Sequence, residues 1–175
     1  QEGEPVVELT VGEHDERTDP AILDAMYSSA EGGHTGYAAL PGTDSLRETV
    51  AARVQRQTGV PTALENVLIT AGGQFALFAA HHAALDQGDT GLIIEPHYAT
   101  YPGVILSLGA HPHIVAARPE DAFQPRIPDL KAGIEAAAAA GSRAKSLLIN
   151  SPNNPTGTVY DTETMDDLAA FCRNE

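Results

Sequence analysis

Short apolar runs alternate with helix-like stretches along most of this chain, and few folds accept that alternation. Val67-Leu68-Ile69-Thr70 is one run, and Gly91-Leu92-Ile93-Ile94 is a second. His113-Ile114-Val115-Ala116 is a third, and Ser146 to Asn150 a fourth. Between them lie good helix formers: Gln74 to Leu85, Thr100 to Leu108 and Asp129 to Ala140, ended by Gly88, Gly109 and Gly141. A further helix opens at Thr162. Unbroken apolar strands between helices are buried on both faces. The predicted class is α/β, a mostly parallel sheet with helices on both sides.

The first part of the chain reads differently. Val6 to Val11 is strand-like. Asp19-Pro20 caps a helix whose apolar positions include Ala21, Ile22, Ala25 and Met26. Gly32 to Gly42 is a glycine-dotted loop. A second helix is predicted from about Asp44 to Thr58, with capping-box spacing at Ser45 and Glu48, a stripe of Leu46, Val50 and Val54, and Gly59 at its end.

Charge limits the partners. The chain carries 24 acidic and 10 basic residues, a formal net charge of −14. Phosphate backbones are bound by clustered Lys and Arg, so a nucleic-acid partner is not expected. Cys172 is the only cysteine, which excludes an intrachain disulfide and fits a reducing compartment, the cytoplasm. No apolar run reaches membrane-spanning length, so no membrane partner is expected. His81-His82 diverge on one helix, and His111 and His113 have no spaced acidic or cysteine partner, so no metal site is expected.

Three strand ends carry chemistry. After the first run stands Thr70-Ala71-Gly72-Gly73-Gln74, where glycines open a helix N-terminus to an anion. After the second stands Glu95-Pro96-His97-Tyr98-Ala99-Thr100-Tyr101, where an aromatic is available to stack on a flat ring. After the fourth stands Asn150-Ser151-Pro152-Asn153-Asn154-Pro155-Thr156-Gly157. Its prolines stiffen the loop and its glycine permits a close backbone approach. Ligands of open α/β sheets bind at the carboxyl ends of strands.

These segments resemble the class I/II, fold-type I aminotransferases that use pyridoxal 5'-phosphate (PLP). S-P-N-N-P-T-G-x-V-Y is similar to that family's signature loop, and T-x-G-G-x-x-A-L to its phosphate-binding turn. The resemblance implies that the Gly72, Gly73 and Gln74 amides hold the cofactor phosphate. It implies that Tyr98 stacks on the pyridine ring and that Asn154 donates to the phenolic oxygen. Leu9-Thr10-Val11-Gly12-Glu13 resembles the family's strand whose glycine lies against the substrate carboxylate, so Gly12 and Asn154 are the substrate-side candidates. The family usually continues with Pro-Asp-Phe, where this chain has His14-Asp15-Glu16. Tyr37, followed by Gly42 and Leu46-Arg47, is similar to the family's tyrosine that reaches the partner subunit's cofactor phosphate. A homodimer with shared sites is therefore implied.

The same resemblance places the Schiff-base lysine, the pyridine aspartate and the carboxylate-gripping arginine beyond Glu175. Lys131 and Lys145 match none of them. The last helix has no stop signal, and the chain reads as a fragment: residues 1–43 an N-terminal arm and small-domain segment, residues 44–175 the first part of a large PLP-binding domain. The implied activity of the parent is amino-group transfer between an amino acid and a 2-oxo acid, with the fragment alone inactive. The alternatives are another fold-type I reaction such as β-elimination, an aminotransferase-like sensing domain of a transcriptional regulator, and a degenerate scaffold.

Overall fold

The computed structural model describes Gly12 and residues 15–175, in two compact units, Gln1–Leu68 and Ile69–Glu175. The strand-like reading of Val6 to Val11 lies outside the described residues.

The first unit holds two helices. Helix α1, Pro20–Glu31, starts as its sequence dictates: Pro20 takes the first position and the Asp19 carboxylate accepts the Ala21 amide at 2.8 Å. None of its residues is buried, so the apolar positions Ile22 and Met26 are exposed. Helix α2, Asp44–Thr58, ends at Gly59, whose left-handed φ of 72° and amide bond to Gln55 O close the last turn. Its N-cap is Thr43, with no side-chain cap bond, so the Ser45–Glu48 capping box does not form. Helix start is set two residues earlier than that spacing requires. Arg47 anchors α2 instead. Its guanidinium is buried and donates to Val67 O at 3.0 Å, Leu64 O at 2.9 Å and Asp44 Oδ1 at 3.2 Å.

The second unit contains a parallel three-stranded sheet in the order β2-β1-β3. β1 is Thr90–Glu95, β2 is His111–Ala116 and β3 is Ala144–Leu148. Helices α3 (Gly73–Ala84) and α4 (Tyr101–Ser107) precede and follow β1, α5 (Ile127–Ala139) joins β2 to β3, and α6 (Thr162–Asn174) follows β3. Period-two alternation along β1 sorts the core into two layers. Leu92 and Ile94 pack with Leu130 of α5 and Leu168 and Phe171 of α6. Ile93 packs with Tyr101 and Ile105 of α4 and with Leu85. Helices thus cover both sheet faces, as the apolar runs predicted. Gly91 sits tight in this contact: a Cβ there would lie 2.6 Å from Ile105 Cδ1 and 2.9 Å from Ser146 Oγ, so those side chains would have to shift.

Two strand expectations are corrected. Val67–Thr70 forms no ladder among the described residues. An apolar run becomes a strand only when a neighbour takes its backbone groups, and β1, β2 and β3 pair with one another instead. The fourth run ends as a strand at Leu148 rather than Asn150. Asn150 has turned into the following loop, where its Oδ1 accepts the Asn154 amide at 2.8 Å.

Candidate active site

The glycine turn after Thr70 has the geometry of an open anion cradle. Gly72 caps α3 with φ 81° and ψ 166°, a region essentially reserved for glycine. Its amide donates back to Thr70 O at 2.9 Å, and the Thr70 hydroxyl donates to Gly72 O at 3.1 Å. The next amides, from Gly73 onward, belong to the first helical turn and have no carbonyl of their own helix to bond. A Cβ added at Gly72 or Gly73 would meet nothing within 4 Å. The space before these N–H groups is therefore free, at the positive end of a helix 12 residues long.

The Tyr98 segment faces the same space. Gly73, Gln74, Leu77, Tyr98, Thr100 and Tyr101 line one open groove of ≈ 740 Å³. Two contacts hold its walls. The Thr100 hydroxyl donates to Gln74 Oε1 at 2.8 Å, bridging the two strand-end loops. The Tyr98 ring meets Tyr101 edge-on, with centroids 5.8 Å apart, and remains 45% exposed. Tyr101 is buried, and that burial, with a smaller contribution from Tyr98, raises its phenol above the usual range, so it stays neutral. His97 turns its Nδ1 to Tyr98 O at 2.9 Å.

The signature loop approaches this end of the sheet through Asn153, not Asn154. Asn153 is buried, and its Nδ2 donates to Pro96 O and to Thr156 Oγ1, both at 2.9 Å. Asn154 is exposed and does not line the groove. The structure thus brings Gly73, Gln74 and Tyr98 together and holds Asn154 one residue from a loop-to-loop bond. Gly12 and Tyr37 belong to the first unit; both are exposed, Tyr37 completely. Leu9 to Val11 and Glu13 lie outside the described residues.

Neither lysine is on the groove. Lys145 pairs with Asp89 at 2.6 Å and Asp86 at 2.9 Å, tying β3 to the start of β1, and Lys131 pairs with Glu175 at 3.5 Å. His81 is buried with Nδ1 donating to Leu77 O at 2.8 Å, and His82 stacks on Phe78. Both serve packing.

Comparison with known proteins gives the family. The model of the family "Aminotransferase class I and II" matches residues 4–175. This chain belongs to that family. A probable aspartate/prephenate aminotransferase of Thermus aquaticus is 36% identical to it over 169 residues, covering 97% of this chain and 43% of the relative. An arginine–pyruvate transaminase of Pseudomonas aeruginosa is 34% identical over 98% of this chain and 42% of its own length. Among solved structures, an aspartate aminotransferase of Thermotoga maritima superposes with a TM-score of 0.89 at 30% identity, over 97% of this chain and 44% of that one. The chain therefore spans about two fifths of the length of the curated relatives it matches.

The residues present fit the cofactor of this family on structural grounds. The turn at Gly72 and Gly73 is open where side chains would fill it, the amides from Gly73 onward open the first turn of a helix, and a half-exposed aromatic ring shares the groove with Gly73 and Gln74. One face thus offers N–H donors for an anion and a flat apolar surface for a ring, the two demands of an aromatic phosphate.

Proposed function

We propose that this chain is the N-terminal part of a PLP-dependent aminotransferase that moves an amino group between an amino acid and a 2-oxo acid. The observation that carries the reading is the single groove lined by Gly73, Gln74 and Tyr98. Bound there, PLP supplies the electron sink for bond breaking at the amino acid's Cα. The chain's own residues do the holding. The Gly73 and Gln74 amides take the phosphate, while the Gly72 amide, expected from the sequence to join them, is engaged by Thr70 O and holds the turn; Tyr98 backs the ring, and Asn154 offers a neutral donor to the phenolic oxygen. Gly12 is assigned to the substrate carboxylate side. Residues 1–43 are assigned to an arm and small domain, and residues 44–175 to the large domain.

The same reading makes the protein a cytoplasmic homodimer. Tyr37 and Leu40, fully exposed on a glycine-rich loop, suit a contact with a second subunit in which Tyr37 reaches the partner's phosphate site. The lone cysteine and the absence, among the described residues, of a helix long and apolar enough to cross a membrane agree with the location.

Absorbance of the full-length protein tests the proposal. An absorbance band near the visible edge should appear on adding PLP and vanish with borohydride. Tyr98→Ala should weaken retention by about 1 kcal/mol, roughly fivefold, through loss of the stack. A protein that stays colourless in excess PLP overturns the assignment.

A further inference from the structure

The signature loop contains two adjacent asparagines with opposite surroundings. Asn154 is exposed, whereas Asn153 is 8% exposed and its side chain carries a network. Its Nδ2 donates to Pro96 O, two residues before Tyr98, and to Thr156 Oγ1. Both amide hydrogens are thereby used. The Asn153 backbone closes the loop as well: its amide donates to Thr158 O at 2.8 Å and its carbonyl accepts the Gly157 amide at 2.7 Å. The chain of bonds continues outward. Thr156 Oγ1 donates to Thr158 Oγ1 at 3.0 Å, and that hydroxyl donates to Ala122 O at 3.4 Å. Ala122 and Phe123 hold left-handed φ values of 50° and 58°, and Gln124 donates to Val159 O at 3.2 Å. The Asn153 side chain thus joins the loop after β1 to the signature loop, and Thr156, Thr158 and Gln124 carry the network on to the turn at 119–124.

We propose that Asn153 is a positioning residue that sets the spacing between Tyr98 and Asn154. It touches no ligand; it fixes the two loops from which those side chains project. This rests on the reading that Tyr98 and Asn154 flank a bound PLP. The physical reason for an amide here is donor count. Pro96 O and Thr156 Oγ1 need two hydrogens from one small group, and a carboxylate of the same shape would present only acceptors to the carbonyl. The bond lies in a buried place, where a lost partner leaves a carbonyl unsatisfied.

Two variants of the full-length protein test it. Asn153→Leu keeps the size and removes both donors; Asn153→His keeps one N–H near the position of Nδ2. Each is measured for apo thermal midpoint, PLP dissociation constant and the pH at which the absorbance band of the loaded protein changes. The expected result is a dissociation constant raised tenfold or more in Asn153→Leu, with a displaced pH midpoint, and a rise below threefold in Asn153→His. Equal losses in both variants would assign Asn153 to packing alone, and wild-type values in Asn153→Leu would remove any role in spacing; either overturns the proposal. If Asn153→Leu does not fold, Asn153→Ser, too short to reach Pro96 O, is compared with Asn153→His on the same criteria. A wild-type protein that binds no PLP refutes the cofactor reading itself, a different outcome from a wild type that binds and variants that bind equally well.

Discussion

Replacing the two cradle glycines one at a time separates their roles, because they are glycines for different reasons. Gly72 adopts φ 81° and ψ 166°, and alanine forced there is strained by about 1–3 kcal/mol. No steric clash adds to this, since its Cβ would meet nothing within 4 Å. Gly73 is already the first residue of α3, where alanine is favoured over glycine by up to about 1 kcal/mol. Its added methyl also meets no protein atom within 4 Å, and on the proposed reading it would stand in the space the phosphate needs. Gly73→Ala should therefore leave the apo protein as stable as the wild type or slightly more so. It should weaken PLP binding by one or two charge-assisted hydrogen bonds at about 1.5–3 kcal/mol each, at least tenfold. Gly72→Ala should lower the apo thermal midpoint by several degrees, at about 2–4 °C per kcal/mol for a domain of 150–250 residues, and weaken binding as the Gly73 amide tilts. Apo midpoints come from differential scanning fluorimetry and affinities from absorbance titration. If Gly73→Ala binds PLP as tightly as the wild type, the phosphate does not sit on this turn. If Gly72→Ala melts with the wild type, the positive φ is not what the position requires.

Two further outcomes follow from the polar contacts. Arg47→Met should destabilise the protein by about 2–5 kcal/mol, because Val67 O and Leu64 O lose a charged donor, and Arg47→Lys should recover part of that loss; urea midpoints with unchanged slopes check it. The Arg118 guanidinium bonds both Asp129 oxygens and, with the nearby Arg126 charge, holds that carboxyl below its usual 3.8 despite partial desolvation. The folded state thus binds fewer protons than the unfolded one, so this stabilisation is present above 3.8 and is lost as pH falls through the folded value. Wild type should lose thermal midpoint more steeply than Asp129→Asn between about pH 5 and about pH 2, and parallel curves would refute the linkage.

The parts of the fold that were legible in the sequence are those decided locally. Asp19-Pro20, Gly59 and the alternation of apolar runs with helices specify elements within a few residues, and the elements form there. Val67–Thr70 carried the same apolar signal as β1 yet forms no ladder, because a strand is a property of a pair. The capping box at Ser45 failed for a related reason. Thr43 took the cap, and the buried Arg47 contacts to Val67 and Leu64, about twenty residues on, hold the helix in place.

The candidate site divides along the same line. The backbone role of Gly72 was readable because glycine at a helix cap commonly answers to a positive φ, here 81°. Asn153 was not, because Asn153 and Asn154 share the same neighbours and turn chemistry. What separates them is Pro96, 57 residues away, whose carbonyl takes one side chain inward and leaves the other to solvent. The Thr100–Gln74 bond, across 26 residues, is of the same kind. Local pattern therefore identifies which loops meet, and long-range hydrogen bonds decide which side chain in each loop supports and which is free to contact a ligand. The residues proposed to face the ligand, Tyr98 and Asn154, each adjoin a residue in such a bond or lie two positions from it. On that proposal the Thr100–Gln74 bond braces the groove from its own wall, and the Asn153–Pro96 bond braces it from outside the lining.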